Sequence, residues 1–130
     1  MSPDQEDAGL LCAAHLGTAA SLSLKGSPPF AAGLRIEGSL GNEAGLDLLR
    51  DVEGIIRRCP GLLELELDLT GLNYASSTAV GALASIYVET TARRIELRIL
   101  DPGAQVMMVL EVLGFASFLP IVRKAGGRGA

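Results

Sequence analysis

The stretch that organises the chain reads Leu62-Leu63-Glu64-Leu65-Glu66-Leu67-Asp68-Leu69, then Thr70-Gly71-Leu72-Asn73-Tyr74-Ala75, then Ser76-Ser77-Thr78-Ala79-Val80-Gly81. In its first part apolar and acidic residues alternate strictly. A period of two places Leu63, Leu65, Leu67 and Leu69 on one face of a β-strand and Glu64, Glu66 and Asp68 on the other. Glycine and asparagine then mark Thr70 to Ser76 as a loop. From Ser77 onward Val80, Leu83, Ala84, Tyr87 and Val88 return with helical spacing, behind serines that favour a helix start. A carboxylate at a strand end, a short loop and hydroxyls at a helix N-terminus therefore follow one another within fourteen residues, Asp68 to Gly81.

Outward from this unit the same two periods repeat. Upstream, Ala20 to Lys25 (A-S-L-S-L-K) alternates and ends at Gly26, Pro28 and Pro29. Ala32 to Leu40 alternates again, with Leu34, Ile36 and Gly38 on one face, so the two stretches are expected to pair as a hairpin. Asn42 is placed to cap a first helix whose stripe is Leu46, Leu49, Val52, Ile55 and Ile56, ending near Cys59-Pro60-Gly61. Downstream, Arg94 to Leu100 reads as a strand. A third helix from Ala104 to about Leu113 packs through Val106, Met107, Val109, Leu110 and Leu113, with Gly114 as its C-terminal cap. Phe115, Phe118, Leu119, Ile121 and Val122 form a last apolar segment ending in a short edge strand. Strands alternating with helices imply an α/β layer fold around a mainly parallel sheet, joined by right-handed crossovers.

Composition sets limits on function. The 130 residues suit a single domain, expected at 19–122, with a loose segment at 1–18 and a disordered tail at 123–130. Eleven Lys and Arg against fifteen Asp and Glu give a net charge of −4, which offers no general attraction to nucleic acid or anionic lipid. With no Trp, three Phe and two Tyr, the core is aliphatic and there is no stacking platform for single strands. No apolar run reaches the roughly 18 residues of a membrane span, and the acidic opening Ser2-Pro3-Asp4-Gln5-Glu6-Asp7 is unlike a signal peptide. Cys12 and Cys59 lack metal or redox spacing, so a reduced, cytoplasmic setting is the expectation.

Other motifs favour bland readings. Gly38, Gly41 and Gly45 join a strand to a helix but match no phosphate-binding pattern, so they read as turn and packing glycines. His15 has no partners close in sequence, and Cys59 reads as a small buried apolar residue rather than a sensor thiol. Arg57-Arg58 and Arg93-Arg94 fall near helix C-termini, where they complement the dipole. Without a metal set or a nucleophile elbow, nothing assembles an enzyme's reacting groups, and no cofactor is expected.

Ser76 and Ser77 sit where first-turn amides and the positive end of a helix dipole point outward. One of them is expected to cap the helix. A phosphate there would add about −1.5 to −2 charges and change whatever surface a partner reads.

From Ala32 to about Val122 the sequence resembles the STAS domain family, the module of anti-sigma factor antagonists and of the cytoplasmic tails of sulfate transporters. Asp68-Leu69-Thr70-Gly71 and Ala75-Ser76-Ser77-Thr78 fall in register with that family's Asp-Leu-Ser-Gly and Asp-Ser-Ser-Gly blocks; Val80-Gly81-Ala82-Leu83 and Val109 to Phe115 continue the likeness. The resemblance implies a layered fold, with a mixed, mostly parallel sheet of four to five strands and helices packed mainly on one face. It also implies a non-enzymatic protein-binding module whose phosphorylated serine corresponds to Ser76, followed as candidates by Ser77 and Thr78, with Asp68 as the supporting acid. The implied docking surface comprises Leu72, Asn73, Tyr74, Ala75 and Val80. The implied partners are a serine-kinase-type anti-sigma factor and a phosphatase, and homo-oligomers are compatible with it. Two departures bear on the switch: Ala75 stands where the family has Asp, and Thr78 where it has Gly. They leave open a constitutive subunit of a larger assembly, a stressosome-like scaffold or the partner of a lipid-transport ATPase.

Overall fold

Residues 20–123 are described by the computed structural model; the expectations for the segment 1–18, for Cys12 and His15 and for the tail beyond Arg123 lie outside them. The elements are β1 (Ala20–Lys25), β2 (Ala31–Ile36), β3 (Gly38–Leu40), α1 (Asn42–Arg58), β4 (Glu64–Asp68), β5 (Leu72–Ala75), α2 (Ser77–Ala92), β6 (Glu96–Leu100), α3 (Ala104–Val112) and β7 (Ile121–Val122). β1 and β2 pair antiparallel, with Ala20 opposite Ile36 and Lys25 opposite Ala31. The remaining ladders of the main sheet are parallel, which gives a five-stranded mixed sheet in the order β1-β2-β4-β6-β7.

Alternation decides which face of that sheet is covered. Leu34, Ile36, Leu65, Leu67, Leu69 and Ile99 are essentially inaccessible and form the core with Leu48, Val52 and Ile55 of α1, Val80, Leu83 and Ile86 of α2, and Val106 and Leu110 of α3. The opposite face is polar. There Arg98 lies within 3.6 Å of both Glu64 and Glu66 across the β4–β6 ladder, a half-exposed arrangement worth little in stability. Helices on one face of a mixed, mostly parallel sheet are the expected architecture. Among the described residues no helix is long and apolar enough to cross a membrane, and no group of three His, Cys, Asp or Glu is placed to hold a metal ion.

Several boundaries differ from the sequence reading. The expected strand Ala32–Leu40 breaks at Glu37: Gly38 adopts φ +89°, a conformation that favours glycine, and the chain leaves the main sheet. β3 instead pairs in parallel with β5 in a separate two-stranded sheet, so the expected loop Thr70–Ser76 holds a strand. Leu63 lies before the β4 ladder and is 61% exposed, while Leu62 takes its place in the core. On α1, Leu46 is 47% exposed and Leu48 is buried, which moves the stripe to Leu48, Val52, Ile55 and Ile56. On α2, Val88 is 64% exposed and Ile86 is buried. Leu113 is exposed because it ends α3 as its C-cap.

Asn42 is the first residue of α1 rather than its cap; that position falls to Gly41, whose carbonyl accepts from the Gly45 amide at 2.9 Å. α3 closes on Gly114 (φ +80°) with the Gly114 amide on the Glu111 carbonyl and the Phe115 amide on the Leu110 carbonyl, a Schellman motif at the expected residue. α2 closes through the same pair of bonds, Arg94 to Thr91 and Ile95 to Thr90, but with Arg94 in the left-handed region at φ +59°. Arg93 and Arg94 therefore lie past the last turn of α2, whereas Arg57 and Arg58 occupy the last turn of α1. Cys59, just past α1, is buried in the core cluster.

Candidate functional site

β2, β4 and β6 run parallel, so their carboxyl ends meet at one end of the sheet, and α1, α2 and α3 each start from that end. The small β3–β5 sheet lies on the path from β2 to α1 and from β4 to α2. Ser39 pairs with Tyr74 and Leu40 with Ala75, and the Ser76 amide donates to the Leu40 carbonyl at 3.0 Å. The chain thus enters α2 directly from a strand, which fixes Ser76 at the junction.

Ser76 is the N-cap of α2. Its backbone is extended (φ −76°, ψ 166°), and its Oγ accepts from the Ala79 amide at 3.1 Å. The capping role expected of one of the two serines falls to Ser76. Ser77 and Thr78 are the exposed first residues of the helix, on the turn whose amides point out along the axis. The start of α2 is held from behind by α1. A β-carbon on Gly45 would lie 2.6 Å from Ala79 Cα and 2.7 Å from Ala79 Cβ, so only glycine permits this approach of the two helices.

Asp68 ends β4 on the polar face. Its Oδ1 accepts from the Thr70 amide at 3.0 Å and from Thr70 Oγ1 at 2.6 Å, which closes the turn leading to β5. Asp68 lines a shallow groove on that face with Ser21, Arg35 and Glu66.

The residues expected to form a docking surface divide into two sets. Asn73 and Tyr74 are exposed, Tyr74 at 45%, and stand beside Ser77 and Thr78 in sequence. Leu72, Ala75 and Val80 belong to the core and offer no side chain to a partner: β5 is buried at its two ends and exposed at Asn73 and Tyr74 between them, and Val80 lies on the inward face of α2.

Sequence reasoning missed Gln105, in the first turn of α3. Its Oε1 accepts from the Ala75 amide at 2.8 Å and its Nε2 donates to the Ala75 carbonyl at 3.2 Å. The only hint was one polar residue near the start of the apolar run Ala104-Gln105-Val106-Met107-Met108-Val109-Leu110. The packing role read for Gly45 is the one it has, but its partner Ala79, like Ala75 for Gln105, lies on an element distant in sequence and was not legible.

Comparison with known proteins agrees with this architecture. The chain superposes on the anti-sigma factor antagonist SpoIIAA in its unphosphorylated form with a TM-score of 0.66 and 16% identity, covering 82% of this chain and 90% of that one. For SpoIIAA, a Bacillus cell fate determinant, in its phosphorylated form, the TM-score is 0.63 at 16% identity, covering 84% and 94%. An anti-sigma factor antagonist from Mycobacterium paratuberculosis gives 0.63 at 12% identity, covering 92% and 87%. No protein of curated function matches the sequence. At these identities the likeness is one of fold, and the STAS domain profile, which matches residues 30–126, carries the assignment: the chain belongs to the STAS domain family.

Proposed function

We propose that this chain is a non-enzymatic regulatory module of the anti-sigma factor antagonist kind, docking a serine-kinase-type anti-sigma factor and switched by phosphorylation of Ser76. The observation that carries the reading is the N-cap position of Ser76 in a STAS domain, with exposed Asn73 and Tyr74 on one side and exposed Ser77 and Thr78 on the other. A phosphoryl group on Ser76 Oγ would stand at the positive end of the α2 dipole and meet first-turn amides, so the helix would tolerate it. The partner would meet about two new negative charges in the middle of its contact. Release is then a local electrostatic event, and a phosphatase resets it. Asp68 serves this surface indirectly, by holding Thr70 and hence the approach to β5.

A second reading is favoured by Ala75, a buried residue without the carboxylate that family members place before the serine. It makes the same surface a permanent interface within a larger assembly. Phosphosite mass spectrometry on the protein purified from its own cells, with co-purifying proteins identified in the same run, separates the two. Phosphate on Ser76, together with an ATP-dependent serine kinase in the preparation, is the expected result. An unmodified chain held in a stable complex without a kinase overturns the switch in favour of the permanent interface.

A further inference from the structure

β5 has two edges. One pairs with β3; the other faces α3. Since the Ser76 amide points to β3, the amide and carbonyl of Ala75 point the opposite way, toward that outer edge. Ala75 is fully buried, so both polar groups would be costly to leave unpaired. A single side chain satisfies them. The Gln105 carboxamide accepts from the amide at 2.8 Å and donates to the carbonyl at 3.2 Å, as a neighbouring strand would.

We infer that Gln105 is a positioning residue for Ser76: its carboxamide acts as a surrogate strand on the outer edge of β5, fixes the Ala75–Ser76 peptide plane, and so sets where the serine hydroxyl and the Asn73-Tyr74 segment are presented. The chemistry restricts the role to few residues. Only an amide offers one donor and one acceptor in a fixed fork. Asn is one methylene shorter, Glu cannot donate, and Met matches the length with no hydrogen bonds. The Ala75 carbonyl belongs to the peptide unit that ends in the Ser76 nitrogen. Rotation of that unit moves Ser76 Oγ off the Ala79 amide, so clamp and helix cap are coupled through one peptide. Through this clamp α3 contributes to the presentation of Ser76, a functional role that rests on the function proposed above.

The test compares the full chain with its Gln105→Met and Gln105→Glu variants. In the free protein, amide hydrogen exchange by NMR is expected to quicken about tenfold at Ala75 and Ala79 in Gln105→Met, with Leu67 and Ile99 in the central strands unchanged. Gln105→Glu, which keeps the acceptor, should restore protection at Ala75 but not at Ala79. Exchange that quickens equally at all four amides, or at none, overturns the inference, since a merely structural side chain would act on the whole fold. The second arm follows phosphoryl transfer from labelled ATP by the serine kinase recovered with the chain. Positioning predicts a lower kcat at unchanged KM for Gln105→Met; an unchanged kcat overturns the claim that the clamp presents Ser76. If the wild-type chain accepts no phosphate, the switch reading fails on that result alone, while the exchange arm still decides the clamp.

Discussion

The main sheet and the small β3–β5 sheet are held together in different ways. β2, β4 and β6 share five-residue ladders and a continuous aliphatic cover, so any one contact there is a small part of the whole. The small sheet has three residue pairs with an irregular register at Gly38 and Ser39, and its outer edge is closed by one glutamine. The start of α2 is held by the Ser76 cap, by the Ser76 amide on the Leu40 carbonyl and by the close approach of Gly45. Stability comes from the many interchangeable contacts of the main sheet, whereas the geometry of the site depends on a few that nothing else replaces. Substitutions in the small region should therefore change the position of Ser76 before they threaten the fold.

Gly45→Ala is the strongest way to break that separation. The new methyl would sit 2.6 Å from the Ala79 backbone, and relief requires α1 and α2 to move apart. Overpacking of this kind costs about 1–3 kcal/mol, against which the helix gains under 1 kcal/mol from replacing glycine. A net loss of about 2 kcal/mol is expected in urea unfolding, with chemical-shift changes concentrated at Ser76 and Ala79. A neutral or stabilised Gly45→Ala protein would show that the helices do not depend on this close approach.

Ser76 variants sharpen the comparison with a smaller effect. Ser76→Ala removes the acceptor of the Ala79 amide and should cost about 1 kcal/mol. Ser76→Asp keeps an oxygen at the cap and adds charge at the favourable end of the helix, so its stability should stay within a few tenths of a kcal/mol of wild type. Binding should run the other way. On the proposed function, Ser76→Ala is expected to retain a kinase-type partner and Ser76→Asp to lose it, as read by calorimetric titration of the two proteins. Equal affinities would mean that the partner does not read charge at this position.

How much of this was visible in the sequence follows the same division. β1, the β4 core and the α2 start are legible because each is encoded by a period within its own residues, and Gly114 is legible because a left-handed C-terminus selects glycine locally. β5 is not. Leu72-Asn73-Tyr74-Ala75 carries no alternation strong enough to outvote Gly71 before it and Asn73 within it, and it becomes a strand because β3 lies alongside. The exchange of Val88 for Ile86 in the core has another cause: α2 is apolar nearly all round, from Ala79 to Val88, so its spacing admits more than one stripe. The Ser76 cap could be read from its type and place. Gln105 could not, because its partner is thirty residues away on an edge that exists only after folding.

The helix ends far from the site supply the mildest test. α2 and α3 finish with the same two backbone bonds, yet α3 places Gly114 in the left-handed position and α2 places Arg94 there, at φ +59°. A side chain in that region carries a penalty of roughly 1 kcal/mol that glycine avoids, while glycine also loosens the unfolded chain and returns part of the gain. Arg94→Gly should therefore stabilise the protein by about 0.5 kcal/mol, seen as a small rise in the midpoint of urea unfolding. Arg94 precedes β6 at the amino end of the parallel ladder, opposite the end where Ser76 sits, so partner affinity and exchange at Ala75 and Ala79 should not change. A stabilised chain with an unaltered junction would show that the bulk of the fold can be tightened without moving Ser76. A shift at Ser76 would mean that α2 transmits strain along its whole length, and the two regions would then have to be treated as one.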